Sequence, residues 1–144
     1  MHVLLVDDND INLHLLTMFM KKARYTYATA SNGREALDAY TATHAPAPSS
    51  SSSSLSSSPS SSSTGKRKFD YILMDISMPI MSGLESTKRI REFEHAHGLL
   101  RCCVIALTGL ASTEAQREAE TAGVDVFLPK PVKFAELRRL LVVR

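Results

Sequence analysis

Five short apolar runs, at residues 3–6, 27–29, 69–74, 103–107 and 124–128, are spaced along the chain with a helix-like segment after each. That alternation constrains the fold more than any other feature. Runs this short and mostly apolar, the second of them a weak one, suit strands buried on both faces of a sheet. Strands that alternate with helices pair in parallel, because each helix carries the chain back across a face of the sheet. The helical segments read as 9–23, 34–41, 82–95, 112–122 and 133–142. In the first, Leu15, Leu16, Phe19, Met20 and Ala23 recur at helical spacing and are expected to face the core; Ile11, Leu13 and Met18 fall off that stripe. Ser112 is placed to cap the fourth helix and Gly123 to end it. The expected architecture is α/β, a five-stranded parallel sheet covered by helices on both faces.

One stretch breaks the alternation. Residues 49–63 hold 13 serines in 15 positions, interrupted by Leu55 and Pro59. Pro46 and Pro48 precede it; Gly65 and the basic run Lys66-Arg67-Lys68 follow. Such a composition cannot bury enough apolar surface to offset chain entropy. Residues 44–68 are therefore expected to form a disordered surface loop inside a single domain spanning 1–144. A flexible loop adds little closure entropy as it lengthens. Its serines are either a regulatory segment open to phosphorylation or a tolerated expansion, and no kinase motif is evident. Gly65-Lys66 is not a phosphate-binding loop, since that motif needs a glycine five residues before the second one and the chain has Ser60 there.

Composition excludes several classes. A formal net charge of +2 gives no general attraction to nucleic acid, and no apolar run approaches membrane-spanning length. Neither a nucleic-acid partner nor membrane contact is expected. The opening MHVLLVDD meets acids too soon for a secretory signal. Cys102 and Cys103 are adjacent, which suits strand residues better than a disulfide framework. A reducing, cytoplasmic location is expected. The five histidines, His2, His14, His44, His95 and His97, show no metal-ligand spacing.

In a sheet of this kind, chemistry collects beyond the carboxyl ends of the strands. The first strand ends in Asp7-Asp8, the third in Asp75, the fourth in Thr108-Gly109 and the fifth in Pro129-Lys130-Pro131. One pocket would hold three carboxylates, a hydroxyl and an ammonium. Crowded carboxylates repel one another. A divalent cation relieves that repulsion, and an all-oxygen set with room for water suits Mg2+. Lys130 can reach a phosphoryl oxygen and Thr108 can donate to another. The set is suited to placing a phosphoryl group on a carboxylate. Each residue also has a plainer reading: Asp7 and Asp8 as helix-capping acids, Thr108 as a turn residue, Lys130 as a solvated loop lysine.

Taken in order, VLLVDDN, ILMDISMP followed by SG, ALTG and FLPKP resemble the receiver domains of two-component response regulators, and the motif wording is most similar to receivers of fungal hybrid histidine kinases. The resemblance covers the chain apart from the serine-rich insertion. It implies a flavodoxin-like (βα)5 doubly wound fold with strand order 2-1-3-4-5. It implies Asp75 as phosphoacceptor, Asp8 as a direct Mg2+ ligand, Asp7 as a ligand through water and the Ser77 backbone carbonyl as a further ligand. Thr108 and Lys130 would bind phosphoryl oxygens. Phe127 matches the family's switch aromatic, coupled to Thr108, although an apolar ring there also suits a core role. Pro131 follows a bond often cis in the family. Ser82 departs from the acid or amide often found before its glycine.

The implied partner is a histidine phosphotransfer protein or a histidine kinase domain, docking on the first helix through Ile11 and Leu13. The parent chain would be a hybrid histidine kinase carrying this receiver at its C-terminus; a free-standing response regulator is the alternative. The domain alone would not be a turnover enzyme. Two other classes fit less well. An aspartate-nucleophile phosphatase needs a second Asp two residues after the first, where the chain has Ser77. A binding-only pseudo-receiver predicts loss of an acid or of Lys130, and none is lost.

Overall fold

A computed structural model describes residues 1–44, 68–109 and 112–141. Its elements run β1 (His2–Val6), α1 (Asp10–Ala23), β2 (Thr26–Ala30), α2 (Gly33–His44), β3 (Tyr71–Asp75), α3 (Gly83–His97), β4 (Cys103–Thr108), α4 (Thr113–Ala122), β5 (Val126–Pro129) and α5 (Phe134–Leu140). The strands form one parallel sheet in the order β2-β1-β3-β4-β5. This is the doubly wound order that the resemblance implies.

Alternation along the strands divides the core in two. Leu4, Val6, Ile72, Met74, Val104 and Ala106 face α2, α3 and α4, where Ala36, Tyr40, Ile90 and Ala119 meet them. Val3, Leu5, Leu73, Ile105 and Leu107 face α1 and α5, where Leu16, Phe19, Met20 and Leu137 meet them. Leu4, Leu5, Ile72, Leu73 and Ile105 are wholly buried. Each such side chain contributes roughly 1.5–3 kcal/mol of burial.

Caps fix where the helices begin and end. The Asn9 side chain accepts hydrogen bonds from the Ile11 and Asn12 backbone N–H groups, and Ser82 and Ser112 accept from Glu85 and Ala115. Gly98 and Gly123 end α3 and α4 in left-handed conformation. Ser82 thus caps α3 despite its departure from the family pattern.

Four expectations are corrected. Leu15 is 46% exposed, because the buried stripe of α1 is narrower than the apolar spacing implied and centres on Leu16, Phe19 and Met20. Leu13 lies partly buried against the α1 and α5 core instead of off it. His44 is not loop: it closes α2 and is buried. Cys102 precedes β4 and is buried, while Cys103 opens the strand; both thiols are free. Residues 45–67 of the expected loop and Val142 of the expected fifth helix lie outside the described residues.

Candidate functional site

The carboxyl edge of the sheet gathers the acids. Asp7 follows β1, and its backbone N–H donates to the Ala30 carbonyl at 3.2 Å, which ties it to the end of β2. Its Oδ1 accepts the Asn9 N–H at 2.9 Å. The loop that caps α1 therefore also orients this carboxylate. Asp75 is the last residue of β3 and is buried, whereas Asp8 is exposed. Carboxylate oxygens of Asp7, Asp8 and Asp75 lie within 4.8 Å of one another.

Lys130 enters from the end of β5. Its backbone N–H donates to the Thr108 carbonyl at 2.7 Å, and the Lys130–Pro131 peptide bond is cis. Its Nζ lies 3.1 Å from Asp75 Oδ1 and 3.6 Å from Asp7 Oδ2. Burial pushes the Asp75 carboxyl above the ordinary carboxylate range; Lys130 beside it pulls the other way, and Asp7 and Asp8 push it further up. Asp7 Oδ2 is buried with no hydrogen-bond partner among the described residues. A buried carboxylate oxygen without a hydrogen bond, in a group of three carboxylates, is a donor set that suits a hard cation. The residues present thus fit a Mg2+ ion, with Asp7, Asp8 and Asp75 as oxygen donors.

Thr108 ends β4 and is buried beside this cluster. The loop after Asp75 is held by backbone bonds: Ile76 N–H to the Leu107 carbonyl at 3.1 Å and Gly83 N–H to the Ile76 carbonyl at 2.9 Å. Ser77 is exposed on that loop. Phe127, paired in register with Ala106, is half-buried against the α2, α3 and α4 core. On α1, Ile11 is 72% and Met18 53% exposed. With Leu15 they form an exposed apolar stripe, and Leu15, Leu16, Val132 and Phe134 line a cavity of about 380 Å³ that reaches Asp7 and Lys130.

Sequence reasoning overlooked the supports of this edge. Gly33 approaches the β3–α3 loop so closely that a Cβ would overlap the Met81 carbonyl oxygen and stand 2.7 Å from that of Ser82. Its N–H donates to Met81 O at 3.0 Å, and Ser86 Oγ donates to the Gly33 carbonyl at 2.8 Å. No local sequence pattern marks the Ser31-Asn32-Gly33 turn as the brace of the loop after Asp75.

A family model described as response regulator receiver domain matches residues 58–142. Hybrid signal transduction histidine kinase A of Dictyostelium discoideum is 31% identical over 96% of this chain, which spans 5% of that protein's length. Among solved structures, the Saccharomyces cerevisiae complex of the histidine phosphotransfer protein Ypd1 with the receiver domain of its downstream response regulator Ssk1 is similar with TM-score 0.76 and 28% identity, over 97% of this chain and 85% of that one. The receiver domain of sensor histidine kinase PA1611 from Pseudomonas aeruginosa, solved with a magnesium ion in its active-site cleft, is similar with TM-score 0.69 and 27% identity, over 96% of this chain and 92% of that one. The family match alone takes in more than half of the sequence, and the chain belongs to the response regulator receiver domain family.

Proposed function

We propose that this receiver accepts a phosphoryl group from a phosphohistidine onto Asp75, with Mg2+ as cofactor, and relays it as a conformational signal. The observation that carries the reading is the cluster itself: three carboxylates with oxygens within 4.8 Å, and Lys130 Nζ 3.1 Å from Asp75. A carboxylate oxygen of Asp75 attacks phosphorus as the N–P bond to the donor imidazole breaks. The electron pair returns to the imidazole nitrogen, and an acyl phosphate forms on Asp75. When bound, Mg2+ offsets charge that gathers on the phosphoryl oxygens. Asp7, Asp8, Asp75 and the Ser77 backbone carbonyl would hold it. Lys130 exchanges its contact with Asp75 for a phosphoryl oxygen, and Thr108 donates to another. Movement of Thr108 at the end of β4 is then passed to Phe127 on the adjacent strand, biasing a two-state equilibrium.

The donor is a histidine phosphotransfer protein or a histidine kinase domain, docking on the exposed face of α1 around Ile11. The likeness to the hybrid kinase of Dictyostelium favours a hybrid histidine kinase as the parent chain. The likeness to the Ssk1 receiver favours the second reading, a response regulator downstream of a phosphotransfer protein. Among the described residues no helix is long and apolar enough to cross a membrane, and a cytoplasmic site of action fits this role.

Intact-mass measurement after incubation with acetyl phosphate and Mg2+ tests the chemistry. One phosphoryl adduct is expected in the wild type, with none in Asp75→Asn and none without the metal. An adduct that persists in Asp75→Asn would remove Asp75 from the acceptor role.

A further inference from the structure

The amino edge of the sheet, opposite the acids, carries a second cluster that phosphoryl chemistry does not use. His44 closes α2 and is 6% exposed. Its Nε2 accepts the backbone N–H of Phe69 at 2.9 Å. The His44 ring stacks on Tyr40 with centroids 3.9 Å apart and faces the Phe69 ring at 6.0 Å. On β1, His2 stacks against Phe69 at 4.8 Å. Four rings from α2, the approach to β3, and β1 make one stack. His44 and Phe69 are 25 positions apart in sequence and one hydrogen bond apart in space.

We propose that His44 and Phe69 form a clasp joining the two chain segments that flank residues 45–67, and that the clasp holds only while the His44 imidazole is uncharged. The bond itself requires this. A ring nitrogen accepts only when it carries no proton, and an imidazolium is a donor at both nitrogens. Protonation would set one N–H against another at a buried site, where an unmatched donor is costly.

The groups around the ring do not rescue the charged form. Lys68, on the approach to β3, is a cation. Asp70, next but one, accepts the His2 backbone N–H at 2.8 Å. The second imidazole of the stack, His2, uses Nδ1 with Thr26 Oγ1 at 2.8 Å. Glu94 of α3 is committed: Oε2 accepts the Tyr40 hydroxyl at 2.7 Å and the Cys102 N–H at 2.8 Å, and Oε1 accepts Arg91 at 2.8 Å. Burial, and after it Lys68, hold His44 down at about 4. The folded value lies below the unfolded one of about 6.5. The clasp is therefore at full strength above pH 6.5 and lost as pH falls toward 4. It fixes the approach to β3, the strand that ends in Asp75, without touching the acid pocket.

Amide exchange and imidazole titration by NMR on the full chain test this, with His44→Phe and His44→Gln. In the wild type the Phe69 amide should be protected at pH 7.5, with protection falling up to about tenfold per pH unit below 6.5, and the His44 ring should titrate near 4. His44→Phe keeps a ring but no acceptor; Phe69 protection should drop roughly tenfold at pH 7.5 and lose its acid dependence. His44→Gln keeps an acceptor that does not titrate, so partial protection should be independent of pH. Labelling of Asp75 by acetyl phosphate should stay at the wild-type rate in both. The proposal is overturned if His44 titrates near 6.5 in the folded chain, or if Phe69 is as well protected in His44→Phe as in the wild type. It is also overturned if His44→Gln shows the wild-type acid loss. Should His44→Phe fail to fold, the wild-type titration decides alone.

Discussion

Ile80 sits on the loop that follows Asp75 and Gly83 opens the helix after it, and each constrains the chain in a different way. At Gly83 a Cβ would overlap the Asp75 carbonyl oxygen and come within 2.8 Å of Met74 Cγ. Gly83→Ala should therefore cost about 1–3 kcal/mol through overpacking and displace Asp75. The expected signature is a lower urea midpoint together with slower acetyl phosphate labelling; an unchanged midpoint would show that the loop yields freely. Ile80 has φ of 70° and is 83% exposed. A left-handed conformation costs a residue with a Cβ roughly 1–2 kcal/mol, and asparagine tolerates it better. No burial offsets the strain at Ile80, so Ile80→Asn should raise stability by about 1 kcal/mol, read as an upward shift in urea midpoint with unchanged slope. Nothing in the sequence announced this backbone, because a β-branched residue argues against it. The glycine was legible as a helix-opening residue, but its tight fit against Asp75 depends on how α3 lies over β3.

Among the elements, α1 separates the two uses of apolar side chains. Leu16, Phe19 and Met20 are buried, while Ile11, Leu15 and Met18 are exposed at helical spacing on another face. Periodicity located the helix and most of its buried stripe. It set the stripe too wide at Leu15 and too narrow at Leu13, since the width depends on where α5 and the β5–α5 loop lean. The consequence is a split prediction. Ile11→Ser should slow transfer from a phosphorylated histidine phosphotransfer protein about tenfold, equivalent to about 1.4 kcal/mol, and leave acetyl phosphate labelling unchanged. Leu13→Ser should instead lower the thermal midpoint, because Leu13 packs against the core. Equal transfer rates for wild type and Ile11→Ser would remove α1 from the docking surface. On α3, Arg91 binds the Gly123 and Cys102 carbonyls together with Glu94 and Asp125. That network joins α3 to the start of β4 and the turn before β5. Its partners are up to 34 positions from Arg91, and charge pattern alone could not pair them.

Across the whole molecule, the two edges of the sheet do different work. The carboxyl edge concentrates negative charge and the amino edge is tied down by rings and a partly buried ion network. Burial raises the Asp75 carboxyl above its ordinary value, so the folded chain binds that proton more tightly than the unfolded chain. The associated stability is present in acid and lost as pH rises through the folded value. Ionised Asp75 is then a net liability at neutral pH. Asp75→Asn should raise stability at pH 7.5 by about 1 kcal/mol, read as a higher urea midpoint, with the gap closing toward pH 4. Added Mg2+ should narrow the gap by stabilising the wild type through binding. A midpoint at or below wild type would show that the contact with Lys130 outweighs burial. The acids, Thr108 and Lys130 were legible because a parallel sheet brings every strand's carboxyl end to one edge, so reading strand ends reads the pocket. The amino edge was not legible, because its residues are assembled from α2, α3, β1 and the approaches to β3 and β4, with no local pattern marking any of them.

The ring stack at His44 also has a practical meaning for handling this domain. Its two flanking chain positions meet at a single hydrogen bond on the edge farthest from Asp75. A guest protein whose own termini lie close together could be spliced between them with the scaffold already sealed on either side. Such a port would carry a fluorescent reporter or an affinity handle while the carboxyl edge that holds Asp75 stays clear.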